Sequence, residues 1–188
     1  MIGAPPRSTI LPTTTLLRSR PYIIEQGTEV FTGELIELND SNFDLVSESC
    51  TLSNCKTSCQ KKRAFLAENV ADFYGVLHVD GSRVVGGVEY MPSLNVPYPV
   101  PKGETVAFIT CVYHSSTEHD YKTYPLLELE KKLSGKFDEI IAITDHEGTF
   151  PNGTLEWFIN YGFVDLGVVS SEENYCELHL VSKKLIYK

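Results

Sequence analysis

The sequence predicts an α/β domain of the α+β kind, and two observations carry that expectation. From Val106 to Leu180 buried strands and amphipathic helices alternate, in the order strand, helix, strand, helix, strand. Ahead of that stretch, a helix leads into a hairpin turning at Asp80-Gly81.

Taken in chain order, Glu29 to Glu37 alternates and holds Val30, Phe31, Leu35 and Ile36, which predicts a first strand. Asn39-Asp-Ser-Asn42 offers helix N-caps before Phe43, Leu45 and Val46. A second helix is expected from Thr57, with Thr57 and Gln60 at capping-box spacing and Leu66, Val70 and Phe73 as its buried stripe. Tyr74 to Val79 and Arg83 to Tyr90 form the hairpin, and Gly86-Gly87 in the returning strand points to a bulge or a close backbone approach. Met91 to Gly103, with Pro92, Pro97, Pro99 and Pro101, excludes regular structure and predicts a long functional or floppy loop. Val106 to Val112 and Glu139 to Thr144 are buried strands. Between them, a helix after Tyr124-Pro125 carries Leu126, Leu129 and Leu133 on one face, with Lys131 and Lys132 outward near its negative end. A short helix packing Leu155, Phe158 and Ile159 stops at Tyr161-Gly162-Phe163, and Cys176 to Ile186 closes the sheet. That makes about four helices in all.

Composition narrows the function. A chain of 188 residues with 42% hydrophobic and 11% aromatic residues is an ordinary single domain, expected over residues 26–188. Its net charge of −9 argues against nucleic acid and anionic membranes, which want a basic face. No apolar run nears the roughly 18–20 residues a bilayer span needs, so a soluble, cytoplasmic protein is expected. Residues 1–25 read as a flexible N-terminal arm: Met1 to Arg20 holds Pro5, Pro6, Pro12 and three Arg, and no acid.

The element order, the Gly162-Phe163 stop, and a strand ending Gly87-Val-Glu-Tyr-Met-Pro92 followed by Ile109-Thr-Cys-Val112 resemble the GNAT (N-acetyltransferase) superfamily over roughly residues 29–185. With Cys50, Cys55 and Cys59 early in the chain, it is most similar to a prokaryotic subgroup with a Cys-rich N-terminal segment. The resemblance implies a mixed, mostly antiparallel sheet whose two central strands splay apart. It also implies an acetyl-CoA donor whose thioester arm lies against backbone groups near Thr110 and Val112. The pyrophosphate would meet Tyr121, Lys122, Thr123 and Tyr124 at the start of the following helix. Asn152 stands where a family Asn often lies, and its plainer reading is a turn or cap residue before Gly153.

Two departures from that pattern are visible. The loop Glu118-His-Asp-Tyr-Lys-Thr123 has Tyr121 and Thr123 where glycines are expected, brings Glu118 and Asp120, and offers Lys122 as its one cation. Phe158 occupies the position of a tyrosine that protonates the leaving thiolate.

Candidates for the base that deprotonates an amine acceptor are Glu89 and His146 first, then His114, Asp145 and Glu147. Each is also readable as a solvated loop residue. Cys50, Cys55 and Cys59, spaced x4 and x3, fit reactive thiols, a disulfide, or zinc or another thiophilic metal completed by a fourth ligand. Cys111 and Cys176 read as small core residues.

Two functions follow. The first is an acyl-CoA-dependent N-acetyltransferase acting on a small-molecule or peptide amine, with a homodimer as one way to complete the site. The second is a non-catalytic protein of the same fold that binds a metal or acts through its Cys50, Cys55 and Cys59 thiols.

Overall fold

The computed structural model describes residues 27–46, 56–70, 73–114, 118–146, 153–172 and 176–186. Seven strands form one sheet: β1 (Glu34–Leu38), β2 (Gly75–Asp80), β3 (Arg83–Pro92), β4 (Val106–His114), β5 (Glu139–Thr144), β6 (Val164–Glu172) and β7 (Cys176–Lys184). Their spatial order is β1-β2-β3-β4-β5-β7-β6. Every neighbouring pair is antiparallel except β4 and β5, which run parallel.

Three α-helices cover the sheet among the described residues: α1 (Lys56–Asn69), α2 (Thr123–Leu133) and α3 (Leu155–Asn160). The first predicted helix is a 3-10 turn, Phe43–Leu45, and residues 47–55 lie outside the described set. The first strand is shorter than its alternation suggested. Val30 makes only an isolated bridge to Asp120, because residues 29–31 lie along the β4–α2 loop rather than against β2. Of the predicted helical stripe, Leu66 lies inside α1, whereas Val70 and Phe73 follow its end and are buried from the connection into β2.

Helix α2 forms as its pattern dictates. Leu126, Leu129 and Leu133 recur on one face and are fully buried, packing that face on β2 and β3. Pro125 sits in the first turn, where its missing N–H costs nothing, and Lys131 and Lys132 meet the negative end of the helix dipole. Helix α3 is capped at both ends. The Thr154 hydroxyl accepts from the Trp157 N–H. At the other end the Phe163 N–H donates to Phe158 O and the Gly162 N–H to Ile159 O, with Gly162 at φ +85°. That is the Schellman pairing, and the Phe158 and Phe163 rings meet at 5.0 Å as its apolar contact. Leu155 and Phe158 point into the core, but Ile159 is 47% exposed, since consecutive helical residues diverge by about 100° and only one of the two can face inward.

The proline segment is an ordered loop. Ser93–Asn95 makes a 3-10 turn, and the Lys102 ammonium donates to the carbonyls of Ser93 and Val96 at 2.9 and 2.6 Å. Val96 and Val100 are buried and Tyr98 packs on Phe108, so the prolines shape a loop that has its own small core.

Alternation along β3 separates the two faces of the sheet. A Cβ on Gly86 would collide with the Tyr121 carbonyl, on the α2 side. One on Gly87 would stand 2.6 Å from the Tyr113 hydroxyl, on the other. Glu89 shares the second face with Gly87 and pairs with Lys62 of α1. The close approach expected at Gly86-Gly87 is therefore present on both faces. Lys183 of β7 ties α2 and α3 together by bonding Glu130 at 2.7 Å and the Tyr161 carbonyl at 2.9 Å.

Candidate active site

The central strands part. The β4–β5 ladder holds Val106↔Glu139, Ala107↔Ile140 and Phe108↔Ile141 and then stops, although β4 continues to His114 and β5 to Thr144. A bulge on the other side of β4 marks the same place: Glu89 faces Cys111 and Tyr90 faces Ile109, leaving Thr110 as the extra residue. Among the described residues the two strands form no further ladder pair beyond Phe108↔Ile141, so they open a wedge toward the ends of β4 and β5. Thr110 Oγ1 is buried and has no hydrogen-bond partner among the described residues, and Val112 is buried further along the strand.

At the wide end of the wedge the start of α2 is already occupied by a carboxylate. Asp120 is 4% exposed. Its Oδ1 accepts from the N–H groups of Lys122 (2.9 Å) and Thr123 (3.1 Å), and its Oδ2 from the Thr123 hydroxyl and the Tyr161 hydroxyl (3.3 Å). This is N-cap bonding, made three residues ahead of Thr123, the first residue of α2. Burial pushes the Asp120 carboxyl up, but the Thr123 hydroxyl, the two amides and Lys122 outweigh it and hold it below the ordinary carboxylate value. The Lys122 ammonium lies over the Trp157 ring at 4.8 Å, and burial, opposed by Asp120, lowers its pKa. Tyr121 is fully buried against Phe31, His78 and His119.

Segment 27–33 braces this loop. The Asp120 N–H donates to Glu29 O at 2.9 Å, and the Phe31 N–H to Asp120 O at 3.1 Å. Fully buried His78 accepts from the Gly33 N–H at Nε2, which leaves Nδ1–H to donate to Tyr121 O, both at 3.0 Å.

The two candidate bases sit on different rims. Glu89 is fully buried on β3, opposite Cys111 and next to the bulge, with Oε2 2.6 Å from the Lys62 ammonium. Apart from Lys62, no hydrogen bond reaches either carboxylate oxygen among the described residues. His146 is exposed just past β5, its ring edge-on to His179 at 5.1 Å. His179 Nδ1 is 2.9 Å from Asp165 Oδ2, and its Nε2 is buried with no partner among the described residues. The sequence reading missed the His179–Asp165 pair, because only the β6–β7 ladder brings positions 165 and 179 together.

Asn152, Glu147, Cys50 and Cys55 lie outside the described residues, as does the side chain of Cys59, whose backbone is in α1. Among the described residues no three His, Cys, Asp or Glu side chains group to hold a metal. Cys111 is buried on β4 as expected, and Cys176 is only partly buried.

No family model matches this chain, and no curated protein does. Solved structures do. An aminoglycoside 6′-N-acetyltransferase complexed with coenzyme A superposes with a TM-score of 0.62 at 17% identity, over 82% of this chain and 98% of that one. The aminoglycoside 6′-N-acetyltransferase from Enterococcus faecium gives 0.59 at 17% identity, over 82% and 98%. A ribosomal-protein-alanine N-acetyltransferase from Brucella melitensis gives 0.54 at 13% identity, over 81% and 99%. This is the GNAT fold.

Within a GNAT fold, the residues fit one half of acetyl-CoA and not the other. The wedge, with its bulge at Thr110 and the unsatisfied Thr110 hydroxyl, suits an extended thioester arm. The α2 start does not suit a pyrophosphate: the Lys122 and Thr123 amides hold Asp120, Pro125 has no N–H, and the Lys122 ammonium lies over Trp157. Phe158, where a GNAT tyrosine was sought, is fully buried between Trp157 and Phe163 and faces the core. The hydroxyl of Tyr161, the residue that ends α3, does reach the α2 start.

Proposed function

We propose that this chain is an acyl-thioester-dependent N-acyltransferase, using acetyl-CoA or a related thioester and acting on a small-molecule or peptide amine. The observation that carries the reading is the parting of β4 and β5 after three residue pairs, at the level of the Thr110 bulge. The superposed structures are acetyltransferases, one of them complexed with coenzyme A, and this supports the reading as well.

When bound, the thioester supplies an activated acyl carbon; the remaining tasks fall to the chain. Backbone groups around Thr110 and Val112 hold the arm and keep water from the wedge. Glu89 receives the proton that the acceptor's ammonium loses before its nitrogen attacks. Lys62 already occupies the place of such an ammonium, so the acceptor exchanges with it at the carboxylate. His146, backed by His179 and Asp165, offers a second proton carrier on the far rim.

Isothermal titration with acetyl-CoA tests this. Saturable binding that is lost in Thr110→Trp, with the far-UV spectrum unchanged, supports the reading. No heat from any thioester at millimolar concentration sinks it and leaves the non-catalytic alternative, which the Asp120 carboxylate at the α2 start favours.

A further inference from the structure

We infer that the acyl donor is recognised by its pantetheine arm alone, because the chain's own Asp120 carboxylate fills the anion place at the start of α2. A thioester lacking the nucleotide half of coenzyme A then binds as well as acetyl-CoA itself. The inference rests on the thioester reading above.

It follows from an account of donors. An anion at a helix N-terminus is held by free N–H groups and the positive end of the dipole. Here the amides of Lys122 and Thr123 and the hydroxyls of Thr123 and Tyr161 all converge on Asp120. The Asp120 amide is bonded to Glu29 O, and Pro125 brings no amide at all. Lys122, the cation of this loop, has its ammonium turned onto the Trp157 ring. Among the described residues a second anion would find few donors and a fixed negative charge beside it.

The occupant is also hard to move. Residues 29–31 bond the loop on one side, and a Cβ on Gly27 would overlap the Glu118 carbonyl, so the loop has no slack toward that strand. His78 holds the Tyr121 carbonyl from beneath. Asp120 also reaches across the mouth of the wedge to α3 through Tyr161, so it serves as a structural tie. By contrast the wedge keeps an unsatisfied hydroxyl at Thr110. Affinity for the donor is therefore concentrated on the arm.

The test is calorimetric titration of the full chain with acetyl-CoA, with S-acetyl-pantetheine and with inorganic pyrophosphate. The two thioesters are expected to bind within about threefold of one another, and pyrophosphate not at all. Asp120→Asn removes the charge and is expected to bind pyrophosphate and to tighten acetyl-CoA by roughly tenfold. Asp120→Gly, which vacates both amides and is still accepted at a helix N-cap, repeats the test if the first variant does not fold.

Acetyl-CoA binding tenfold or more above S-acetyl-pantetheine, with pyrophosphate competing, overturns this inference and leaves the acyltransferase reading standing. Failure of both thioesters to bind removes that reading and this one with it. Folded Asp120 variants that gain no anion binding overturn the assignment of Asp120 as the occupant.

Discussion

Lys62→Met is the most informative single change, because it tests whether the Glu89 carboxylate is as isolated as its geometry indicates. Glu89 is fully buried, and the Lys62 ammonium at 2.6 Å is the cation the structure gives it. Removing one member of a buried ion pair typically costs about 3–5 kcal/mol, since the other charge is left without compensation. The Lys62 side chain is 32% exposed, so water reaches part of the pair and the lower range, about 2–3 kcal/mol, applies. With a urea slope of about 2 kcal/mol/M, the unfolding midpoint drops by about 1–1.5 M. The double change Lys62→Met with Glu89→Met should recover most of that loss, because two apolar groups need no partners. Arg63→Ala serves as the contrast: its bond to Asp40 joins side chains 38% and 64% exposed, and its removal should leave the urea midpoint close to that of wild type. Urea titration followed by the fluorescence of Trp157, the one tryptophan, reads all of these. A Lys62→Met loss below about 0.5 kcal/mol, or a double variant as unstable as the single one, would refute the account of Glu89.

Two further outcomes are expected. Phe158→Tyr, which adds the hydroxyl that the family resemblance implies at this position, should destabilise the chain by about 1–3 kcal/mol and leave any transfer rate no higher. The position is fully buried, and a melting temperature equal to wild type would contradict this. His78 has its pKa lowered by burial, against the opposing pull of the Tyr121 carbonyl, Asp120 and Asp80. It stays neutral in the fold while the unfolded chain takes up a proton near 6.5. Its contribution is full above that value and is lost as the pH falls below it. Urea midpoints between pH 7 and 5 should fall more steeply for wild type than for His78→Gln, and equal slopes would count against that role.

The readable parts of the fold were those set by local pattern. Leu126, Leu129 and Leu133 recur at helical spacing and are all buried, and Gly162-Phe163 marks a helix stop whose two hydrogen bonds are present. What escaped depends on contacts between distant residues. Val30 alternates like a strand residue, yet residues 29–31 lie along the β4–α2 loop. The prolines of Met91–Gly103 suggested a loop without saying that Lys102 would staple it. At the site, the acidic loop was noticed for the cations and glycines it lacks. Asp is a residue type favoured at helix N-caps, so the capping role of Asp120 had a local cue. The partners of Glu89 and His179 had none, because each comes from another element of the sheet or its covering helix.

The three-pair junction between β4 and β5 also says something about how the molecule holds together. On one side lie β1 to β4, on the other β5, β7 and β6, and among the described residues the ladder joining them is the three pairs at Val106, Ala107 and Phe108. The ladder between β5 and β7 has six pairs. Mechanically the domain is two plates sharing a short seam, clamped from outside where Lys183 of one plate grips Glu130 of the helix that rests on the other. Such a sheet has a built-in line of parting. Amides along the seam should exchange before those inside either plate, and a chain nicked in the turn after Leu133 should reassemble from its two pieces.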